Sequence, residues 1–368
     1  MPSRTWDWEI TELSGRLELE VAADGTPLNP LVPVDLDMWR DSGPTAVTAA
    51  AEVITAALPV TVGLLSGPRS PELLPLLDAV SVTVTDAPAT PRRRVISRNP
   101  PGRDIVPVGD LLGEGSLDSA VGRLREAVER SPRAAIACGR LVRQTAALDT
   151  TGGLAAEASA YSMLLGGPEF RRWRDSRGEP RRIDPGPEPV LIDRSADRLV
   201  ITLNVPERRN AFSTAVREAL LEALTLAETD PSVKSVELRG AGPSFCSGGD
   251  LEEFGLASDL VAAYLVRMAR APWRVIDRIA PKVTVRAHGA CVGAGTEMTA
   301  YAGRVVAEPG AFFQLPEVGM GLVPGAGGSV SVTRRVGRHR AAWLMLTGDR
   351  LPADTALAWG LVDEIGPA

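Results

Sequence analysis

The chain has 368 residues, 44% of them hydrophobic, with 40 Lys and Arg against 46 Asp and Glu and a net charge of −6. That length buries a substantial core and suggests two domains, while the acidic balance argues against nucleic acid as a main partner. No run of 18 apolar residues occurs and the start, "MPSRTWDWEI", lacks an apolar signal core, so a cytoplasmic protein with no membrane partner is expected.

From the start of the chain, residues 1–115 contain a helix-like "GPTAVTAAAEVITAAL" and two apolar runs, "PVTVGLL" and "AVSVTVT". They read as an α/β region of unassigned role. Arginine clusters, "PRRRVISR" near residue 92 and "RRWRDSRGEPRR" at 171–182, lack interleaved aromatics and read as solvated surface or linker. Residues 116–182 repeat apolar positions at spacings of three and four, which predicts two or three helices, over "LDSAVGRLREAVERS", "PRAAIACGRLVRQTAAL" and "GGLAAEASAYSMLLGGPEFRRW". Proline, glycine and charge gather in "DSRGEPRRIDPGPEPV", where we place a domain boundary ahead of a unit spanning 190–368.

That last unit alternates strands and helices. The strand 199–205 leads through "PERRNAFS" to an amphipathic helix, with Ser213 as its N-cap and Asp230-Pro231 as its stop. A strand at 233–239, a helix over 258–279, the strand "KVTVRAHG" and a helix running to about Leu346 follow. Such an order predicts α/β architecture with βα crossovers. The cysteines, Cys138, Cys246 and Cys291, have no CxxC spacing and read as reduced thiols, so no metal is expected.

Three glycine turns each follow a strand-like run: Ser247-Gly248-Gly249-Asp250, Gly293-Ala294-Gly295, and Pro324-Gly325-Ala326-Gly327-Gly328. Glycine permits positive φ and close approach of backbone to another group. Two carboxylates accompany the turns: Glu297, three residues after Ala294, and Glu317, after Pro316. Singly, each turn or glutamate reads as ordinary structure.

In order, "PERRNAFS", "GPSFCSGGDLEEF", "VRAHGACVGAGTEMTAY", "FFQLPEVGMGLVPGAGGS" and "TGDRLPADTALAWGLVDEI" resemble the crotonase (enoyl-CoA hydratase/isomerase) superfamily over about residues 196–366. The resemblance implies a crotonase-like ββα spiral core in the C-terminal half, preceded by the α/β N-terminal region and the helical segment. It implies an acyl-CoA substrate, with coenzyme A carried by the substrate and no other cofactor. It implies an oxyanion hole made by the amides of Gly249 and Ala294, with Glu297 and Glu317 catalytic in hydration of a 2-enoyl-CoA. Arg208, Arg209, Ala211, Phe212, Ser247, Asp250, Leu251, Gly293, Pro316 and Gly321 are the expected contacts to substrate and CoA. A homo-oligomer, trimer or hexamer, is expected by analogy.

Other chemistry on the same scaffold stays open: isomerisation, thioester hydrolysis, arylacetyl-CoA dioxygenation, or a non-catalytic acyl-CoA-binding scaffold. A nicotinamide-dependent short-chain dehydrogenase is disfavoured. The residues four beyond Tyr161, Tyr264 and Tyr301 are Leu165, Met268 and Val305, so the Tyr-x-x-x-Lys pair is missing. Two departures from the family stand out. His288 occupies the place of a small polar residue and is expected to be structural, while His339 is expected on a helix surface. The family's helical tail beyond "GLVDEI" is absent, and residues 117–174 look like that tail placed ahead of the core, capping the site from the N-terminal side.

Overall fold

The computed structural model describes residues 10–67, 69–87, 105–112, 115–179, 186 and 188–367. The arginine cluster near residue 92 lies outside them, as do residues 180–185 of the expected boundary.

The chain opens with α1 (Ile10–Leu17), β1 (Leu31–Asp35), α2 (Pro44–Ala56), β2 (Val60–Leu65), α3 (Leu74–Ala79), β3 (Val82–Thr85), β4 (Val106–Pro107) and α4 (Val108–Leu112). The four strands form one parallel sheet in the order β1-β2-β3-β4. Every residue of β1, β2 and β3 is buried. A parallel sheet covered on both faces needs unbroken apolar runs rather than alternation, which explains "VTVGLL" and "VTVT".

Next come α5 (Leu117–Arg130), α6 (Pro132–Thr145), α7 (Thr150–Leu165) and α8 (Pro168–Asp175). Ser116 caps α5 reciprocally with Ser119, and Asp149 caps α7 by accepting from the Gly152 N–H. The third predicted helix is two helices. Gly166-Gly167-Pro168 breaks it, because Pro168 cannot continue a preceding turn but suits the first position of a new one.

The remainder consists of β5 (Val190–Ser195), β6 (Arg198–Leu203), α9 (Thr214–Thr229), β7 (Ser235–Gly240), α10 (Leu260–Ala269), α11 (Pro272–Arg278), β8 (Val283–Ala287) and β9 (Ala290–Val292). It continues with α12 (Ala294–Tyr301), β10 (Arg304–Ala307), β11 (Phe312–Gln314), α13 (Gly328–Val336), α14 (Arg338–Thr347), β12 (Leu351–Pro352), α15 (Ala353–Trp359) and β13 (Glu364–Ile365). A large sheet runs β13-β10-β8-β7-β6-β5, parallel except for the β5–β6 hairpin, and a small sheet runs β12-β11-β9. Each coil of the spiral gives one strand to the large sheet and a short stretch to the small layer. β8 is followed by β9 and β10 by β11, while Cys246, after β7, bridges in parallel to Cys291 of β9. The fold is therefore the crotonase-type ββα spiral, preceded by an α/β region and helices. Two predicted helices are again broken, at Ala271-Pro272 and at Gly337, whose φ of 89° ends α13 and starts α14.

One hydrophobic cluster joins all three regions: Val62 and Val84 of the first sheet, Leu124 and Leu141 of the helices, and Val330 and Met345 of the spiral. The Arg338 guanidinium donates to the carbonyls of Val80 and Leu77, at 2.5 and 2.7 Å, and the Trp359 indole donates to Asp110 at 2.9 Å. His339, expected on a surface, is only 1% exposed, because α14 packs against α5, α6 and β3. His288 hydrogen-bonds the Gly242 carbonyl at 3.0 Å. Among the described residues no helix is long and apolar enough to cross a membrane.

Sharing of the core has a consequence for truncation. Each fully buried aliphatic side chain contributes roughly 1.5–3 kcal/mol, so stripping the first two regions from α13 and α14 costs more than a domain's usual margin. A fragment of residues 186–368 should show no cooperative transition in urea monitored by circular dichroism. A fragment unfolding at the midpoint of the full chain would contradict the shared core.

Candidate active site

The first two glycine turns lie against each other. A Cβ on Gly248 would come within 3.1 Å of the Val292 carbonyl oxygen and 3.8 Å of the Gly293 Cα, so the two turns cross in close contact. Gly248 (φ 97°) and Gly293 (φ 48°) also adopt backbone conformations that other residues resist. Phe212 fixes the first turn from outside: its N–H donates to Gly248 at 2.7 Å and its carbonyl accepts from Asp250 at 3.1 Å. Ala294 begins α12, where the first N–H groups have no intrahelical acceptor. Among the described residues, neither the Gly249 nor the Ala294 N–H donates to a protein acceptor, and both residues line one cavity of about 690 Å³.

Glu297 and Glu317 line the same cavity and are 2% and 7% exposed. Glu297 is held: its Oε2 accepts from the N–H groups of Ala326 and Gly328, each at 2.7 Å. Gly328 is glycine for this reason, since a Cβ there would sit 2.7 Å from the Glu297 Cγ. Glu317 sits beside the second turn, where a Cβ on Gly293 would meet its Oε1 at 2.6 Å. Its Oε2 is buried without a hydrogen-bond partner. Burial, reinforced by the charges of Glu317 and Glu157, pushes Glu297 well above the usual carboxylate range, and the two amide donors oppose this. Burial also raises Glu317, to about 8.

A third carboxylate completes the group, and the motifs gave no sign of it. Glu157 of α7 is 2% exposed. Its Oε1 accepts from the Gly327 N–H at 2.6 Å, and its Oε2 from the N–H and hydroxyl of Ser329 at 2.8 and 2.6 Å. Burial raises it to about 7 against the pull of those donors and of Arg267. In sequence it is the single charged residue in "AAEASAY", separated from its partners by some 170 positions. Further cavity wall comes from Tyr161 and Leu165 of α7, Phe170 of α8, Phe212, Phe254 and Trp273.

The other expected contacts divide. Phe212, Asp250, Gly249 and Ala294 line the cavity, while Arg208, Ala211 and Asp250 line an adjoining cleft of about 330 Å³. Arg208 is not a free cation for phosphate, because both its terminal nitrogens donate to Asp250 at 2.7 Å. That pair ties the "ERRNAF" turn to the Gly249 turn. Arg209 is exposed. Ser247 supports the Arg208–Arg209 backbone, with its N–H on the Arg209 carbonyl at 3.0 Å, and stands outside the cavity lining with Leu251 and Pro316. Gly293 acts through the glycine crossing. Gly321 (φ 77°) faces α8 and not the cavity, since a Cβ there would lie 2.5 Å from the Phe170 nitrogen.

Two outcomes follow from this geometry. Arg208→Ala leaves the buried Asp250 unpaired and should cost roughly 3–5 kcal/mol in urea unfolding; a loss below about 1 kcal/mol would show that the pair does not fix the turn. Glu317 holds its proton in the folded state up to about 8, against 4.5 for the ordinary side chain. Its contribution to stability is therefore full below 4.5 and is lost as pH rises through that window. Glu317→Gln cannot ionise, so its unfolding midpoint should fall less than that of the parent between about pH 5 and 8. Identical pH slopes would refute the raised carboxyl.

The sequence model of the enoyl-CoA hydratase/isomerase family matches residues 194–368. The chain is 32% identical to 2,3-dehydroadipyl-CoA hydratase of Escherichia coli, over 49% of this chain and 69% of that protein. It is 34% identical to the mevalonyl-coenzyme A hydratase sidH of Aspergillus fumigatus, over 45% of this chain and 62% of the relative. With 1,2-epoxyphenylacetyl-CoA isomerase of Escherichia coli the identity is 32%, over 45% and 65%. The crystal structure of enoyl-CoA hydratase from Bacillus anthracis aligns with a TM-score of 0.46 and 30% identity, covering 49% of this chain and 70% of that one. The family model and the identity to 2,3-dehydroadipyl-CoA hydratase establish that the chain belongs to the enoyl-CoA hydratase/isomerase family.

Proposed function

We propose that the protein is an enzyme of hydratase type, adding water across the double bond of a 2-enoyl-CoA thioester to form a 3-hydroxyacyl-CoA. The observation that carries this reading is the cavity shared by two buried carboxyl groups, Glu297 and Glu317, and two unengaged amides, Gly249 and Ala294. Family isomerases, by the resemblance, depend on one glutamate, at the position of Glu317; retention of both favours hydration.

The donor inventory divides the labour. Burial raises Glu297 too, but its two N–H donors on one oxygen oppose that shift while Glu317 Oε2 has none, so a single negative charge on the pair is assigned to Glu297. Glu317, with an unpartnered Oε2 and a pKa of about 8, holds a proton at neutral pH. Glu297 takes a proton from water as its oxygen bonds to the β-carbon. The thioester carbonyl becomes an enolate oxygen held by the two amides, each worth about 3–4 kcal/mol in a dry site. Glu317 then protonates the α-carbon, and the proton left on Glu297 returns to Glu317 through the next water, resetting the pair. The aromatic and aliphatic wall suits an apolar acyl group, and of the two arginines in the "ERRNAF" turn the exposed Arg209 is the one left for a CoA phosphate. A homo-oligomer is also proposed, supported by the 61%, 69% and 58% exposed side chains of Leu256, Val261 and Leu265.

The test is loss of enoyl-thioester absorbance with crotonyl-CoA. Glu297→Gln and Glu317→Gln should each lower kcat by about 10²–10⁴-fold with KM little changed. Because the acid must be protonated, kcat should decline as pH rises through about 8. Equal turnover by the parent and both variants would reject the mechanism.

A further inference from the structure

The 326–329 turn is shared between two carboxylates arriving from opposite sides. Its amides alternate: Ala326 and Gly328 donate to Glu297, while Gly327 and Ser329 donate to Glu157. Ser329 adds its hydroxyl to Glu157, so three of the acceptor positions of that carboxylate are filled from one turn. The Ser329 carbonyl accepts from Thr145 of α6 at 2.7 Å, so the helical segment grips the turn at both its donors and its acceptor. A Cβ on Gly327 would collide with Tyr301 at 2.4 Å and one on Gly325 with Tyr161 at 2.6 Å, so the turn accepts no side chain at either position.

We infer that Glu157, supplied by the helical segment that precedes the spiral, is a positioning residue for the Glu297–Glu317 pair. It pins the turn that orients the Glu297 carboxylate, and when ionised it places a negative charge behind the pair. This rests on the reading of that pair as the reacting carboxyls. Glu157 faces Arg267 from α10, Glu297 and Tyr301 from α12, Glu317 from the turn after Pro316, and Cys138 from α6. Arg267 is the one cation in that set. Its guanidinium lies over the Tyr161 ring, 3.8 Å from the centroid, and donates to the Gly325 carbonyl at 3.2 Å. The other acidic members all sense negative charge on Glu157 as repulsion, which favours their protonated forms.

Glu157→Gln keeps the side chain's shape but turns an NH2 group toward an N–H donor and removes the charge. In the full-length protein two readouts separate positioning from mere support. With crotonyl-CoA, kcat should fall about 10- to 100-fold while KM stays within about twofold, as expected when a reacting group is displaced slightly. Independently of any turnover, the protonated-carboxyl infrared band of Glu317, assigned by its loss in Glu317→Gln, should titrate at lower pH in Glu157→Gln than in the parent. The sign follows because removing a nearby negative charge makes ionisation easier. A folded Glu157→Gln protein with kcat within about twofold of the parent, or with an unmoved titration midpoint, overturns the inference. Should Glu157→Gln fail to fold, Ser329→Ala decides: it deletes one donor to Glu157 and should lower kcat with KM held, while unchanged kcat would overturn the inference. If the parent itself leaves crotonyl-CoA untouched, the hydration proposal fails, and the titration alone judges Glu157.

Discussion

Three carboxyl groups, Glu157, Glu297 and Glu317, are buried in one neighbourhood of this protein, and most of the spiral's local geometry answers the difficulty that this creates. An ionised carboxylate removed from water is costly unless it is paired or hydrogen-bonded. Among the described residues, Arg267 is the arginine that bears on the group, through Glu157. The compensation comes chiefly from backbone N–H groups, which alternate along the 326–329 turn between Glu297 and Glu157. Three charges are not all sustained. Glu317, whose Oε2 has no donor, is raised by burial to about 8, well into the range where the ordinary side chain is ionised.

Use of main-chain donors explains the composition of the site. An amide can approach a carboxylate or a substrate oxygen only where no side chain intervenes, and the distances to imagined Cβ atoms show how little room exists. They are 2.7 Å at Gly328 from Glu297, 2.6 Å at Gly293 from Glu317, and 2.6 Å at Gly249 from the Phe254 ring. The glycine turns that interrupt the sequence are therefore one device used three times. Two turns leave an amide unengaged toward the cavity, and the third spends its amides on carboxylates.

Legibility of this arrangement in the sequence was uneven, for physical reasons. Glu297 and Glu317 stand next to glycine turns within a few residues, so local order exposed them. Glu157 was hidden because its meaning depends on contacts some 170 residues away, and a lone glutamate in an alanine-rich helix looks like any solvated position. His339 failed for the same reason: "RVGRHRAAW" reads as a charged helix face until α5, α6 and β3 cover it. Helix breaks at Pro168, Pro272 and Gly337 were present in the letters, yet the apolar spacing ran across them and masked the punctuation. Arg208 offered a charge suited to phosphate, and only the bidentate contact with Asp250 reveals that the charge is already engaged.

The two sides of the cavity differ in how firmly they are held. The side bearing the amides and carboxyls is built from α12, α13 and the glycine turns; every residue of α12 and most of α13 are buried. The opposite wall includes α10, which has no buried residue although Leu260, Ala263 and Val266 line the cavity. Local opening costs least where little apolar surface is buried, and most where it is. On the proposed reading, the chemistry is thus fixed on a rigid face while the acyl group meets the wall that yields. Arg267, the basic residue of α10 that reaches back to Gly325 and Tyr161, is the point where the yielding wall touches the fixed one. A substrate that moved α10 would therefore reach the Glu157 end of the carboxyl group through this arginine.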